Sequence, residues 1–186
     1  MTSKNIIIIE GPSGVGKDTI IDLLINRYPN KFGRPVNATT RPMRENESQG
    51  HPYLFINEEE FKQLRKTGEI FEETVRHGTY RGMRKSSFNE IINAGKIALR
   101  DCDRFGLEAL KKEYPDQVIG LFLTCDKEDI KARLESRKEP IESMKIRLAD
   151  YDKYIKDAKY FDYIINNKDI ENTISQILNI IESHQK

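Results

Sequence analysis

Residues 11–19, GPSGVGKDT, follow directly on the apolar run Ile6-Ile7-Ile8-Ile9 and contain the parts of a phosphate-binding site. Gly11, Gly16 and Lys17 fit the spacing G-x-x-x-x-G-K, in which backbone N–H groups wrap an anion that side chains would keep away. Gly11, Pro12, Ser13, Gly14, Val15, Gly16, Lys17, Asp18 and Thr19 are therefore the candidate seat of a nucleotide's phosphates. The lysine supplies a mobile cation for the terminal phosphates, where charge shifts during transfer. The residue after it, usually Ser or Thr as an aid to Mg2+, is Asp18, and Thr19 stands one place late. Asp18 either meets the metal through water or caps the following helix, and the preference of aspartate for the first helical turn favours the cap.

A second cationic cluster lies at Thr39-Thr40-Arg41-Pro42-Met43-Arg44, where a proline between two arginines discourages a continuous helix. The planar guanidinium fork binds phosphate oxygens bidentately. Phosphoryl transfer between two nucleotides needs such a cationic frame around both phosphates, together with a metal ion to bridge them, for which Mg2+ is expected. Alone, the pair reads equally well as solvated surface charge; Tyr53 and the phosphate loop favour a function. The histidines offer less: His77 reads as a turn residue, and His51 and His184 form no ligand constellation. Cys102 and Cys125 lack metal-ligand spacing, and Cys102 reads as a small buried residue rather than a redox site.

These groups need a scaffold that gathers loop ends. The alternation of strand-like and helix-like runs predicts an α/β fold with a mainly parallel sheet flanked by helices. Strands are expected at 6–9, 97–101, 118–123 and 163–165, with helices at 19–26, 104–112, 127–137, 144–159 and 170–183. Asp126 and Asp129 predict an acidic, capped start for the helix from 127. Residues 36–94 break the alternation, with strand signals at 53–55 and 70–71 around a charged helix at 58–66, and Ser87 with Glu90 as a capping box. This stretch reads as an inserted mixed α+β subdomain that presents a second substrate.

The 186 residues, 37% apolar and 33% charged, fit one globular domain over 1–186, with a core of 1–35 and 95–186 around the insertion. A formal charge of +1 provides no global basic field for nucleic acid. The N-terminal apolar run is too short to cross a membrane, and two cysteines suit a reducing compartment, so a cytoplasmic monomer or homodimer is expected.

GPSGVGK, then TTRPMRENESQGHPYLF, then a glutamate followed by HGTYRG, resemble the guanylate kinase family in the same order over nearly the whole chain. The resemblance implies a P-loop NTPase-like core, an NMP-binding insertion, a short lid at about 137–147, and phosphorylation of GMP, with dGMP as a further acceptor. It implies that Arg41, Arg44 and Tyr53 bind the GMP phosphate, that Glu72 reads the guanine N1–H and amine, and that Asp103 meets the base, with Asp101 a weak metal contact through water. On the donor side it implies that Arg133, Arg137 and Arg147 clamp the ATP phosphates and that Asn167 lies near the adenine. Lys17, Arg41, Arg137 and Arg147 would then carry the charge of the transferring group.

Three departures bear on the acceptor. Arg81 stands where the family has a phosphate-binding tyrosine, Met83 lacks the hydroxyl that reads guanine O6, and Asn37 replaces a serine but still donates through its amide. Arg104 and Phe105 replace an apolar residue and a glutamine after Asp103. The GKD loop and Met83 leave ribose 1,5-bisphosphate as an alternative acceptor, against which Glu72 argues. A non-catalytic protein-binding module is a third reading, against which Gly16 and Lys17 argue.

Overall fold

The computed structural model describes residues 4–185 apart from His77, so the turn role read for His77 lies outside the described residues. In chain order the first half runs β1 (Ile6–Glu10), α1 (Lys17–Arg27), β2 (Phe32–Gly33), β3 (Asn37–Thr39), β4 (Tyr53–Phe55), α2 (Glu58–Lys66), β5 (Ile70–Arg76), β6 (Thr79–Arg84) and α3 (Lys85–Asn93). The second half runs β7 (Ile97–Asp101), α4 (Arg104–Glu113), β8 (Val118–Thr124), α5 (Lys127–Ser136), α6 (Ile141–Ala149), α7 (Tyr151–Asp157), β9 (Tyr163–Asn166) and α8 (Ile170–Ser183). They form two compact units: the described residues through Asn30 with those from Leu99 onward, and Lys31–Ala98.

In the first unit the strand order is β7-β1-β8-β9. The isoleucines of β1 are all fully buried, as expected of a central parallel strand covered on both faces. Parallel registers run from Ile6↔Val118 to Glu10↔Phe122 and from Leu121↔Tyr163 to Thr124↔Asn166. All these strands therefore end at one edge, where the loops that follow them gather.

Three local readings of this unit need correction. The helix expected at 144–159 is two helices that part at Asp150, with a single 3-10 turn at Ala158–Tyr160. Neither α6 nor α7 has a buried residue, so no packed stripe holds one straight helix together. Asp126 stands at the N-cap position of α5 without a side-chain cap bond, and the Asp129 carboxylate instead accepts from the Cys125 thiol. Asp18 does not cap α1: the N-cap is Gly16 at φ 104°, and exposed Asp18 contributes only its charge to the first turn.

In the second unit a sheet of order β4-β3-β6-β5 joins one parallel and two antiparallel pairs. Ala38 lies opposite Gly82, and that face packs on α2 through Phe61 and Ile70. Strand alternation then turns Asn37, Tyr53, Arg81 and Met83 to the other face. Glu72 joins them through a bulge. Ile70 pairs with Arg84 and Glu72 with Met83, so the extra residue Phe71 lets Ile70 face the core while Glu72 faces away from it. The capping box read at Ser87 and Glu90 is absent. Ser87 lies inside α3, where its hydroxyl accepts from the Val36 N–H, and the Glu69 carboxylate takes the Ser86 N–H at the helix start instead. A box does form on α2, between Asn57 and Glu60.

Candidate active site

The phosphate loop is closed by glycine chemistry at two places. A Cβ on Gly11, at φ 152°, would lie 2.2 Å from the Leu123 carbonyl oxygen, and one on Gly16 would lie 2.7 Å from Asn167 Nδ2. The Val15 carbonyl between them accepts from Arg133 Nη1 at 2.9 Å and from Asn167 Nδ2 at 2.7 Å. Arg133 also donates to the Asn167 carbonyl at 2.7 Å, and the Thr173 hydroxyl lies 2.9 Å from Asn167 Oδ1. Arg133 and Asn167 thus hold the loop against the end of β9.

Lys17 Nζ donates to the Gly11 carbonyl at 2.5 Å and sits 4.0 Å from Glu10 Oε1. Arg147 reaches the loop from α6, donating to the Ser13 hydroxyl, and pairs with Glu139 at 3.1 Å. The Arg137 guanidinium is exposed and has no hydrogen-bond or ion-pair partner among the described residues. Ser13, Gly14, Gly16, Lys17, Asp18, Thr19, Arg137 and Arg147 enclose a cavity of about 100 Å³. It shares Gly16, Thr19 and Arg137 with a neighbouring cleft of about 320 Å³, lined also by Arg133, Asn167 and Ile170. A small cationic cavity joined to a larger cleft has the form of a phosphate seat with room for the nucleoside beside it.

Acids stand at the strand ends beneath the loop. Glu10 closes β1 and is buried, and that burial raises its carboxyl to about 7 against the opposing pull of Lys17 and the Gly11 N–H. Asp101 ends β7, and Asp103 is the N-cap of α4, its Oδ1 accepting from the Gly106 N–H at 3.0 Å. Burial pushes the Cys102 thiol well up, which suits an inert side chain. Among the described residues no three His, Cys, Asp or Glu groups converge as a metal cage.

In the second unit the sheet face away from α2 carries a stacked cationic frame. The Arg41 guanidinium lies 5.7 Å from the centre of the Tyr53 ring and 5.4 Å from that of Phe55, and Arg81 lies 5.5 Å from Tyr53. The Nε atoms of Arg41 and Arg81 are buried without a hydrogen-bond partner among the described residues. Buried donors left open in this way point to an anion that completes them. Arg44 is exposed, Asn37 and Glu72 are half-buried, and Met83 is buried.

Two residues that the motif left unread organise this frame. Glu47 accepts from Arg41 Nη2 at 2.7 Å and from the Arg44 N–H at 2.9 Å, and the Arg41 pair holds its carboxyl below the usual range. Gln49 pairs its amide with both backbone groups of Phe55 at 2.9 Å. The signal for Glu47 was an acid in a turn otherwise set out for phosphate. Glu10 was likewise visible as the one charge ending a run of isoleucines.

A guanylate kinase family profile matches residues 3–184. The chain is 34% identical to a guanylate kinase of Prochlorococcus marinus, across 97% of this chain and 98% of the relative. It is 37% identical to a guanylate kinase of Helicobacter pylori, across 96% and 87% respectively. The crystal structure of guanylate kinase from Anaplasma phagocytophilum matches all of this chain and 88% of that one, at a TM-score of 0.70 and 25% identity. Since the likeness runs the length of the chain and includes the loop that seats phosphate, the protein is a kinase that belongs to the guanylate kinase family.

Proposed function

We propose that this kinase transfers the γ-phosphoryl group of ATP to GMP, and to dGMP with the same residues. The observation that carries the acceptor side is the pair of open Nε donors of Arg41 and Arg81 flanking Tyr53, a seat for a phosphate monoester. Arg44 adds a third cation. Glu72, brought to the same face by the bulge at Phe71, accepts the adjacent N–H donors of guanine. On the donor side, the loop N–H groups and Lys17 take the ATP phosphates. Lys17 exchanges its contact with the Gly11 carbonyl for phosphate oxygens. Arg137 and Arg147 bear on the transferring group as its charge spreads.

The residues present fit a Mg2+ ion that arrives on ATP, since such an ion is held by substrate phosphates with one or two carboxylates. Asp18 and Thr19 line the phosphate cavity and would hold it, with Asp101 through water. When bound, the ion neutralises charge on the bridging phosphate oxygens. No helix among the described residues is long and apolar enough to cross a membrane.

A coupled assay of ADP release tests the proposal, with GMP, dGMP, other monophosphates and ribose 1,5-bisphosphate as acceptors. GMP is expected to give the highest kcat/KM. Preference for ribose 1,5-bisphosphate would refute the GMP assignment while leaving a kinase. Arg41→Ala is expected to lower kcat/KM for GMP at least 100-fold, from the loss of a charge-assisted bidentate contact worth about 3 kcal/mol.

A further inference from the structure

Arg147 reaches the phosphate loop from a helix that no apolar core holds, since α6 has no buried residue. What aims it is polar and begins at the end of α5. The Lys138 N–H donates to the Glu135 carbonyl at 2.9 Å and the Glu139 N–H to the Leu134 carbonyl at 3.2 Å, with Lys138 at φ 53°. These two bonds are the Schellman pattern, here with lysine at the left-handed position that usually holds glycine. Leu134 is itself fixed: it is buried, and a Cβ added to Gly14 of the loop would lie 3.2 Å from its Cδ2. The turn therefore ties Glu139 to the part of α5 that packs on the phosphate loop.

Ser143 and Arg147 share one face of α6, and Glu139 precedes them just before the helix start. The Ser143 hydroxyl donates to Glu139 Oε1 at 2.6 Å and accepts from Arg147 Nε at 3.2 Å. Arg147 Nη2 meets the same Oε1 at 3.1 Å. Nε and Nη2 form one edge of the planar guanidinium, so holding that edge turns Nη1 toward the loop, where it donates to the Ser13 hydroxyl. Arg147 and Ser13 both line the cavity of about 100 Å³. We propose that Glu139 and Ser143 are positioning residues that hold Arg147 with Nη1 toward the γ-phosphoryl group of ATP before the nucleotide arrives. Such preorganisation spares the long side chain its ordering at the moment of transfer. All these residues belong to one compact unit. The inference rests on the ATP reading above and adds to it two residues outside the phosphate loop.

A double-mutant cycle on the single-turnover rate tests this, with ATP–Mg2+ and whichever acceptor the wild type uses. An acceptor other than GMP would thus revise the GMP reading and leave this test in force. Arg147→Ala is expected to slow transfer about 100-fold, as for loss of one donor to a transition state. Glu139→Ala is expected to slow it about 10-fold while the KM for ATP changes less than about twofold, since the arginine remains but is no longer aimed. Glu139→Gln, whose amide oxygen still accepts from Nη2, is expected to restore most of the rate. In the Arg147→Ala background, Glu139→Ala is expected to change the rate less than about twofold, because nothing is left to aim. Should Glu139→Ala fail to fold, Ser143→Ala carries the same cycle with an expected loss of about threefold. An unchanged rate, an equal loss with and without Arg147, or a Gln variant no better than Ala each overturns the proposal. So does a lower KM for ATP in Glu139→Ala, the mark of a carboxylate that competes with phosphate.

Discussion

Glu10 is the residue whose chemistry least resembles that of its surroundings, an acid at the end of a strand of fully buried isoleucines. Its carboxyl is raised from an ordinary value of 4.5 to about 7, chiefly by burial. Below pH 4.5 the folded and unfolded chains both hold the proton and the shift has no effect. Between pH 4.5 and 7 only the folded chain keeps it, so stability falls as pH rises; above 7 the loss levels off at roughly 3 kcal/mol. Glu10→Gln removes this dependence. Urea unfolding of the two proteins from pH 4 to 8 should therefore show the variant gaining on the wild type by roughly 3 kcal/mol, and parallel curves would show that Glu10 does not titrate in this range. Lys17 Nζ lies 4.0 Å from this carboxyl, so the proposed exchange of Lys17 onto ATP phosphates would take a cation from Glu10.

At the scale of elements, the phosphate loop depends on a strut from β9 and α5. The resemblance assigned Arg133 to the ATP phosphates and Asn167 to the adenine; in the structure both donate to the Val15 carbonyl. Either change alone leaves that carbonyl one donor, while both together leave it none. Arg133→Ala and Asn167→Ala are each expected to cost about 1 kcal/mol, and the double variant to exceed their sum by about 1–3 kcal/mol, the desolvation of an orphaned carbonyl. Denaturant midpoints of the four proteins check this, and strict additivity would remove the strut. The motif could not reveal the arrangement, because spacing shows that an arginine is near the loop and not which atom it reaches. The bulge at Phe71 is a second case. Strand alternation alone would put Ile70 and Glu72 on one face, and the single extra residue separates the core position from the ligand position.

For the whole molecule, the residues proposed for the donor and for the acceptor fall in different compact units: the loop, Arg137 and Arg147 in one, Arg41, Arg44, Tyr53 and Glu72 in the other. The two substrates should therefore stabilise the protein independently. ATP–Mg2+ at 100 times its Kd is expected to add about 2.7 kcal/mol to the stability of the unit that binds it. In thermal melts Arg41→Ala should keep the ATP shift and lose the GMP shift, and Lys17→Ala the reverse. Loss of both shifts in either variant would count against separate seats.

The order β–loop–α around GPSGVGKDT, the parallel core and the Arg41–Arg44 cluster were all legible in the residues, because each rests on short-range spacing: buried runs, glycine where backbone must approach an anion, arginines around a proline. The tertiary structure alone decided what those groups touch. Glu47 fastens Arg41, Asn167 and Arg133 fasten Val15, Glu69 rather than Ser87 serves the start of α3, and Glu139 pairs with Arg147. Several of these contacts join residues far apart in the chain, and the others depend on how a turn orients its side chains. Sequence spacing determines which chemistry is available, while packing determines the atom toward which it is aimed.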